Sequence, residues 1–269
     1  MKVLNCFLLG LLCLCLQAGK LPAGRHQQGV VRLNHQLKKQ KQPGSSYRFV
    51  VAGDNRDGNR ILAQILQQAA KEHPDFMLHS GDFVALGQKQ EYLNLLKLLD
   101  RAPFPIFAAM GNHEIYQGGE KWYRSYFGNP DFYFDVGPDR FVILNNANAA
   151  LKPEQIQWLD QVLQRPRRYK FLLMHYPPQN LIWFYAFSEG ANRLREVVTR
   201  HHVNYVFMGH IHIYDQLIQD GVHWLISGGA GAPLYRMPLY YSPQGGAYSH
   251  YVVMDISPEG IRETLRPLN

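Results

Sequence analysis

Cysteine is scarce and confined: the 269 residues hold three, Cys6, Cys13 and Cys15. Beyond that leading segment the chain has no thiol. Disulfides and thiolate ligation are therefore excluded there, and any metal must be bound through nitrogen and oxygen. Acidic residues are in deficit, 21 Asp and Glu against 28 Lys and Arg, for a formal net charge of +7. That balance favours anionic surfaces and phosphates, without the basic clustering of a dedicated nucleic-acid partner. A membrane-spanning run is missing as well, because a bilayer needs about 20 apolar residues and the greasy stretch at 3–16 is shorter. Internal repeats are absent too.

What stands at the start is Lys2, the apolar run 3–16 and then Gln17, Ala18 and Gly19. This is the pattern of a secretory signal peptide, 1–18, cleaved near Ala18, and it predicts a secreted or periplasmic protein. A membrane anchor is disfavoured by the run's length, and a lipidated cysteine by the lack of a small residue before each Cys. Residues 19–46 are poor in apolar side chains, rich in Lys and Gln, and read as a flexible N-terminal arm. The remaining residues, 47–269, suffice for one domain with its own core, expected as a monomer.

From Tyr47 onward apolar strands alternate with helices. Strands are predicted at 47–52, 75–80 and 104–110, with helices at 59–73 and 88–100 between them; Ile61, Leu62, Ile65, Leu66 and Ala69 recur on one face of the first. A hairpin is predicted from 132–136 and 141–144, then a helix at 154–163, a strand at 171–174, a helix at 189–202 and a strand at 204–208. Antiparallel strands follow at 214–219, 222–227, 248–256 and 260–265. Strand–helix alternation predicts parallel pairing with functional loops beyond the strands' carboxyl ends. Two sheets packed face to face, with helices on both outer sides, are expected.

Chemistry collects at those ends. Asp54, Asp82, Asn112, His175, His210 and His212 each fall just after an apolar strand, and all are oxygen or imidazole donors suited to divalent metals. One such aspartate is ordinarily a helix cap and one such histidine a packed side chain. Six together point to a metal site.

The order Gly-Asp, Gly-Asp, Gly-Asn-His-Glu, His, Gly-His-x-His resembles the calcineurin-like metallophosphoesterase superfamily, from about Tyr47 to Leu265. The resemblance implies an α/β fold, a four-layer α-β-β-α sandwich of two mixed sheets, and hydrolysis of phosphomonoesters or phosphodiesters at a centre of two divalent or trivalent ions such as Mn, Fe or Zn. It further implies that Asp82 bridges both ions, that Asp54 and His212 hold the first, and that Asn112, His175 and His210 complete the second. His113 would serve the phosphate as the catalytic histidine.

One departure matters. The family's first motif is Asp-x-His, whereas here the order is Asp54, Asn55, Arg56, so the first site has one ligand fewer than the resemblance implies, and weak binding there is one of the readings open. The tyrosine that purple acid phosphatases place three residues after the second aspartate is Ala85. Arg56 is open to two functional readings, a cation that grips the substrate phosphate or the mark of a one-metal enzyme, and to a plain salt bridge with Asp57 or Glu114. Asn55 is a candidate ligand or phosphate donor. Glu114 is expected to orient His113 or His210, or to cap the backbone. His79 and His250 read as packed histidines. The glycine-rich 228–235 segment is expected near the site, and the aromatic run 177–187 to pack against the Trp122–Phe127 region. Two rivals to a phosphoesterase remain, an impaired binding module of the same fold and a nuclease.

Overall fold

The computed structural model describes residues 24–39, 46–56, 58–179, 181, 183–237 and 239–268. The expected signal peptide and Asp57 lie outside them.

Two repeats of strand and helix open the domain: β1 (Tyr47–Ala52), α2 (Asn59–Lys71), β2 (Phe76–His79), α3 (Lys89–Leu99) and β3 (Ile106–Ala108), after a first helix α1 (Arg25–Lys39). Short helices α4 (Asn112–Ile115) and α5 (Glu120–Tyr126) lead to β4 (Phe132–Val136) and β5 (Asp139–Ile143). Then come α6 (Pro153–Gln164), β6 (Lys170–Leu173), α7 (Ala191–Arg200), β7 (Tyr205–Met208), β8 (Tyr214–Gln219), β9 (Val222–Ser227), β10 (His250–Ser257) and β11 (Gly260–Pro267).

The strands form two mixed sheets, five in the order β11-β10-β1-β2-β3 and six in the order β4-β5-β6-β7-β9-β8. The segments β1-β2-β3 and β5-β6-β7-β9 are parallel. Between the sheets runs a seam of phenylalanines, with Phe49 stacked on Phe76 at 5.1 Å and edge-on to Phe141 at 5.3 Å. Each fully buried ring contributes about 1.5–3 kcal/mol. Outside the five-stranded sheet lie α2 and α3, through Leu62, Ile65, Leu66, Tyr92 and Leu95; outside the six-stranded sheet lie α6 and α7, through Leu159, Leu163, Leu194 and Val198. This is the expected four-layer α-β-β-α sandwich.

The arm expected at 19–46 is in part otherwise. Arg25–Lys39 is helical, with Leu33 and Leu37 buried in the seam. It lies along the edge strand β3, where His26 Nε2 accepts the Ala108 N–H at 3.2 Å and the imidazole stacks on Phe132 of β4 at 4.3 Å. The helix thereby covers an edge that would otherwise expose unpaired backbone groups. Its buried stripe passes through His26 and Gly29, which do not register as apolar, so the helical period is masked in the sequence.

Candidate metal centre

Parallel strands deliver their carboxyl ends to one side of the sandwich, and the six candidates arrive there together. Asp54 follows β1, Asp82 follows β2, Asn112 opens α4 after β3, His175 follows β6, and His210 and His212 follow β7. Asp54, Asp82 and His210 adopt left-handed backbone, with φ of 62°, 52° and 67°. Such conformations cost about 1 kcal/mol or more outside glycine and persist only where the surroundings fix them. They are fixed here by backbone cross-links: Asp54 N donates to Gly81 O at 2.9 Å, Arg56 N to Asp82 O at 2.9 Å, and His210 N to Asp54 Oδ1 at 2.8 Å. The glycines of the motifs are needed for close approach, since a Cβ on Gly111 would meet Asp82 Oδ1 at 2.3 Å and one on Gly209 would meet Asp54 Oδ2 at 2.2 Å.

Donor atoms of Asp82, His175 and His210 lie within 4.8 Å of one another, and so do those of Asp54, Asp82 and His212; Asp82 is common to both groups. Asn112 Oδ1 lies 3.2 Å from His175 Nε2 and 3.1 Å from His210 Nδ1. Asp54 Oδ2 is fully buried among these groups and has no hydrogen-bond partner. A buried carboxylate oxygen left bare is costly, and a cation is the partner this donor set offers it. The residues present therefore fit divalent metal.

Contacts behind the donors orient them. His175 Nδ1–H donates to Ser80 O at 2.8 Å and His212 Nδ1–H to Pro233 O at 2.6 Å, which turns both Nε2 atoms inward. Asn112 Nδ2 donates to Tyr116 Oη at 3.0 Å, which leaves Oδ1 facing the histidines. His210 and His212 are backed by the rings of Tyr176 and Tyr235, at 3.8 and 4.3 Å.

The electrostatics are those of one buried cluster. Burial, then the Asp82 charge, pushes the Asp54 carboxyl well up. Burial opposes ionisation of Asp82 too, but His175 and His113 hold it below the usual carboxylate range. Burial likewise opposes the charge on His175, yet Asp82 and Asp54 push its pKa up to about 9. Burial depresses His210 to about 3 and His212 to about 4.

Arg56 reaches into this centre. Its Nη1 donates to His113 Nε2 at 2.9 Å, and no ion pair joins it to a carboxylate among the described residues. His113 Nδ1–H is taken by Ala85 O, its N–H by Asp82 Oδ1 at 3.0 Å, and its Nε2 stands 3.8 Å from Asp82 Oδ2.

Three expectations are corrected. Asn55 does not face the site: its Oδ1 pairs with His79 Nε2 at 3.0 Å and its Nδ2 donates to Asn59 Oδ1 at 2.9 Å, both in the interior. Glu114 orients neither His113 nor His210 and takes the other expected role, capping the backbone. Fully buried, it accepts the N–H groups of Asp82, Gly111, Phe83 and Val84 at 2.7 to 3.2 Å, which clamps the Asp82 loop and rules out a pair with Arg56. Burial and the Asp82 charge push its carboxyl up to about 8, against the pull of those donors. Finally, Leu181, Trp183 and Phe187 of the aromatic run pack outside the six-stranded sheet, whereas Tyr123 and Phe127 pack outside the other, so the two regions cannot meet.

Asn146 went unnoticed in the sequence. Its Oδ1 accepts the His175 and Tyr176 N–H groups at 2.9 and 3.1 Å, and its Nδ2 donates to Tyr176 O at 2.9 Å. The signal was available: Asn146 also follows a strand, β5, but that strand reads as a hairpin arm although it pairs parallel with β6.

A four-layer sandwich with carboxylate, amide and imidazole donors gathered at its strand ends is the arrangement of a metallophosphoesterase. Residues 47–214 match the model of the calcineurin-like phosphoesterase family, and the chain belongs to that family. The family is one of phosphoester hydrolases, and membership implies divalent metal ions. It is 26% identical over 161 residues to a probable cyclic nucleotide phosphodiesterase of Synechococcus, a span covering 56% of this chain and 62% of that protein, less than two thirds of the relative's length. In structure it resembles the purple acid phosphatase PPD1 of yellow lupin (TM-score 0.66, 18% identity, 84% of this chain and 52% of that one). It also resembles a dimetal phosphatase of Danio rerio (TM-score 0.66, 14% identity, 84% and 97%).

Proposed function

We propose that this protein hydrolyses phosphate esters at a centre of two divalent cations. Asp82 would be shared, Asp54 and His212 would hold one ion, and Asn112, His175 and His210 the other. The observation that carries this reading is the single carboxylate common to two donor groups beside a buried, unpartnered Asp54 oxygen. Bound divalent ions supply Lewis acidity to phosphoryl oxygens and lower the pKa of water.

The chain's own residues do the rest. Arg56 presents a permanent cation at the mouth of the centre and binds a non-bridging phosphate oxygen, a bidentate role suited to guanidinium. His113, fixed through Nδ1–H to Ala85 O, would give the departing ester oxygen a proton from Nε2 in its doubly protonated form, once Arg56 has turned to the phosphate. The rings of Tyr176 and Tyr235 flank His210 and His212 and hold them in place. The test is Asp82→Ala, expected to lower hydrolysis of p-nitrophenyl phosphate by about 100-fold or more; full activity would refute the assignment.

A second reading rests on Arg56. Among the described residues Asp54, Asp82 and His212 remain for the first ion, and a chain that cannot hold it would bind phosphate groups without turning them over. A screen of phosphomonoesters and phosphodiesters with added Mn, Zn or Fe separates the two: turnover with any pair refutes the binding module. The leading 1–18 segment supports export, which would leave a mature chain beginning near Gly19.

A further inference from the structure

Two loops rise beside the centre and are pinned by one buried carboxylate. Asp215, at the start of β8, accepts Trp183 Nε1–H at 2.9 Å and the N–H groups of Tyr241 and Ser242 at 3.0 and 2.9 Å. The 177–187 loop is thus anchored by Leu181, Trp183 and Phe187, all buried, yet between those anchors Phe184 and Tyr185 stand 61% and 66% exposed. Tyr185 is also held in left-handed backbone at φ 59°, a conformation unfavourable for an aromatic residue. Its ring lies 6.1 Å from that of Tyr235, and Tyr235 stacks on His212 at 4.3 Å. Tyr185 and Tyr235 therefore form an aromatic shelf from solvent to a proposed metal donor, with Phe184 exposed beside Tyr185.

We infer that Phe184, Tyr185 and Tyr235 form the site for the organic half of the substrate, and that this half is a flat aromatic ring system. The inference rests on the phosphoesterase reading and adds the substrate class. An ester held by its phosphate at Arg56 and the donor cluster can meet this surface at Tyr235, which stacks on His212, and rings stack on rings at little entropic cost where Asp215 pins Trp183, Tyr241 and Ser242. A small polar alcohol would leave the shelf wet.

The experiment compares 1-naphthyl phosphate with glycerol phosphate, using metal-loaded wild type and the Phe184→Ala, Tyr185→Ala double variant. Loss of the stacking surface should lower kcat/KM for the naphthyl ester about tenfold and leave the glycerol ester within about twofold; Tyr185→Trp should restore the naphthyl rate. Equal losses on both esters, or none on the naphthyl ester, would overturn the shelf alone. Wild type inert towards both monoesters and towards bis(p-nitrophenyl) phosphate would overturn the phosphoesterase reading and this inference with it.

Discussion

At the scale of single residues, the centre is set by which atom each side chain is forced to show. Arg56 is the residue that makes this chain depart from its family's pattern, and its guanidinium lies against the His113 ring rather than a carboxylate, placed to take an anion. Arg56→Ala should raise KM for an aryl phosphate about tenfold and change metal affinity less, as steady-state kinetics and metal titration would show; metal loss at unchanged KM would contradict this. Tyr116 supplies the acceptor that keeps the Asn112 amide from turning over. Tyr116→Phe should weaken metal binding about tenfold with little change in Tm, whereas unaltered affinity would mean that the amide is fixed by its other contacts. The donor set was legible because its members fall just after apolar runs, four of the six (Asp54, Asp82, Asn112 and His210) directly after a glycine. Asn55 was not, because a strand-end amide can turn to either side, and His79 in the interior decides which.

At the scale of elements, local periodicity carries the βα units well, since each strand's apolar run and each helix's stripe are written in adjacent residues. It fails for α1, where packing on an edge strand is done by an imidazole and a glycine. His26 is fully buried, and burial depresses its pKa to about 3. It is neutral when folded and protonated more readily when unfolded, near 6.5, so its contribution is complete above about pH 6.5 and falls as pH drops towards 3. Between pH 6.5 and 5 that amounts to roughly 2 kcal/mol. Urea unfolding should therefore show a smaller acid loss in His26→Phe than in the native chain; identical pH dependence would remove His26 as a cause. His79 and His250, depressed by burial to about 3 and 4, add the same trend to both proteins.

At the scale of the whole molecule, neither sheet holds the centre by itself: Asp54, Asp82 and Asn112 come from the five-stranded sheet, and His175, His210 and His212 from the six-stranded one. Two sheets facing each other were legible in the succession of strands; the register that makes their ends coincide was not, because it depends on phenylalanine packing between strands far apart in the chain. A cation held between the two sheets would tie them together, so chelation should lower Tm by several degrees, in keeping with the few kcal/mol that a ligand well above its Kd contributes. The most direct measurement is elemental analysis of the metal-loaded protein beside its Asp82→Ala variant. Two ions per chain in the native protein and at most one in the variant are the predicted result; fewer than one in the native protein, or the same content in both, would contradict a centre built on a shared Asp82.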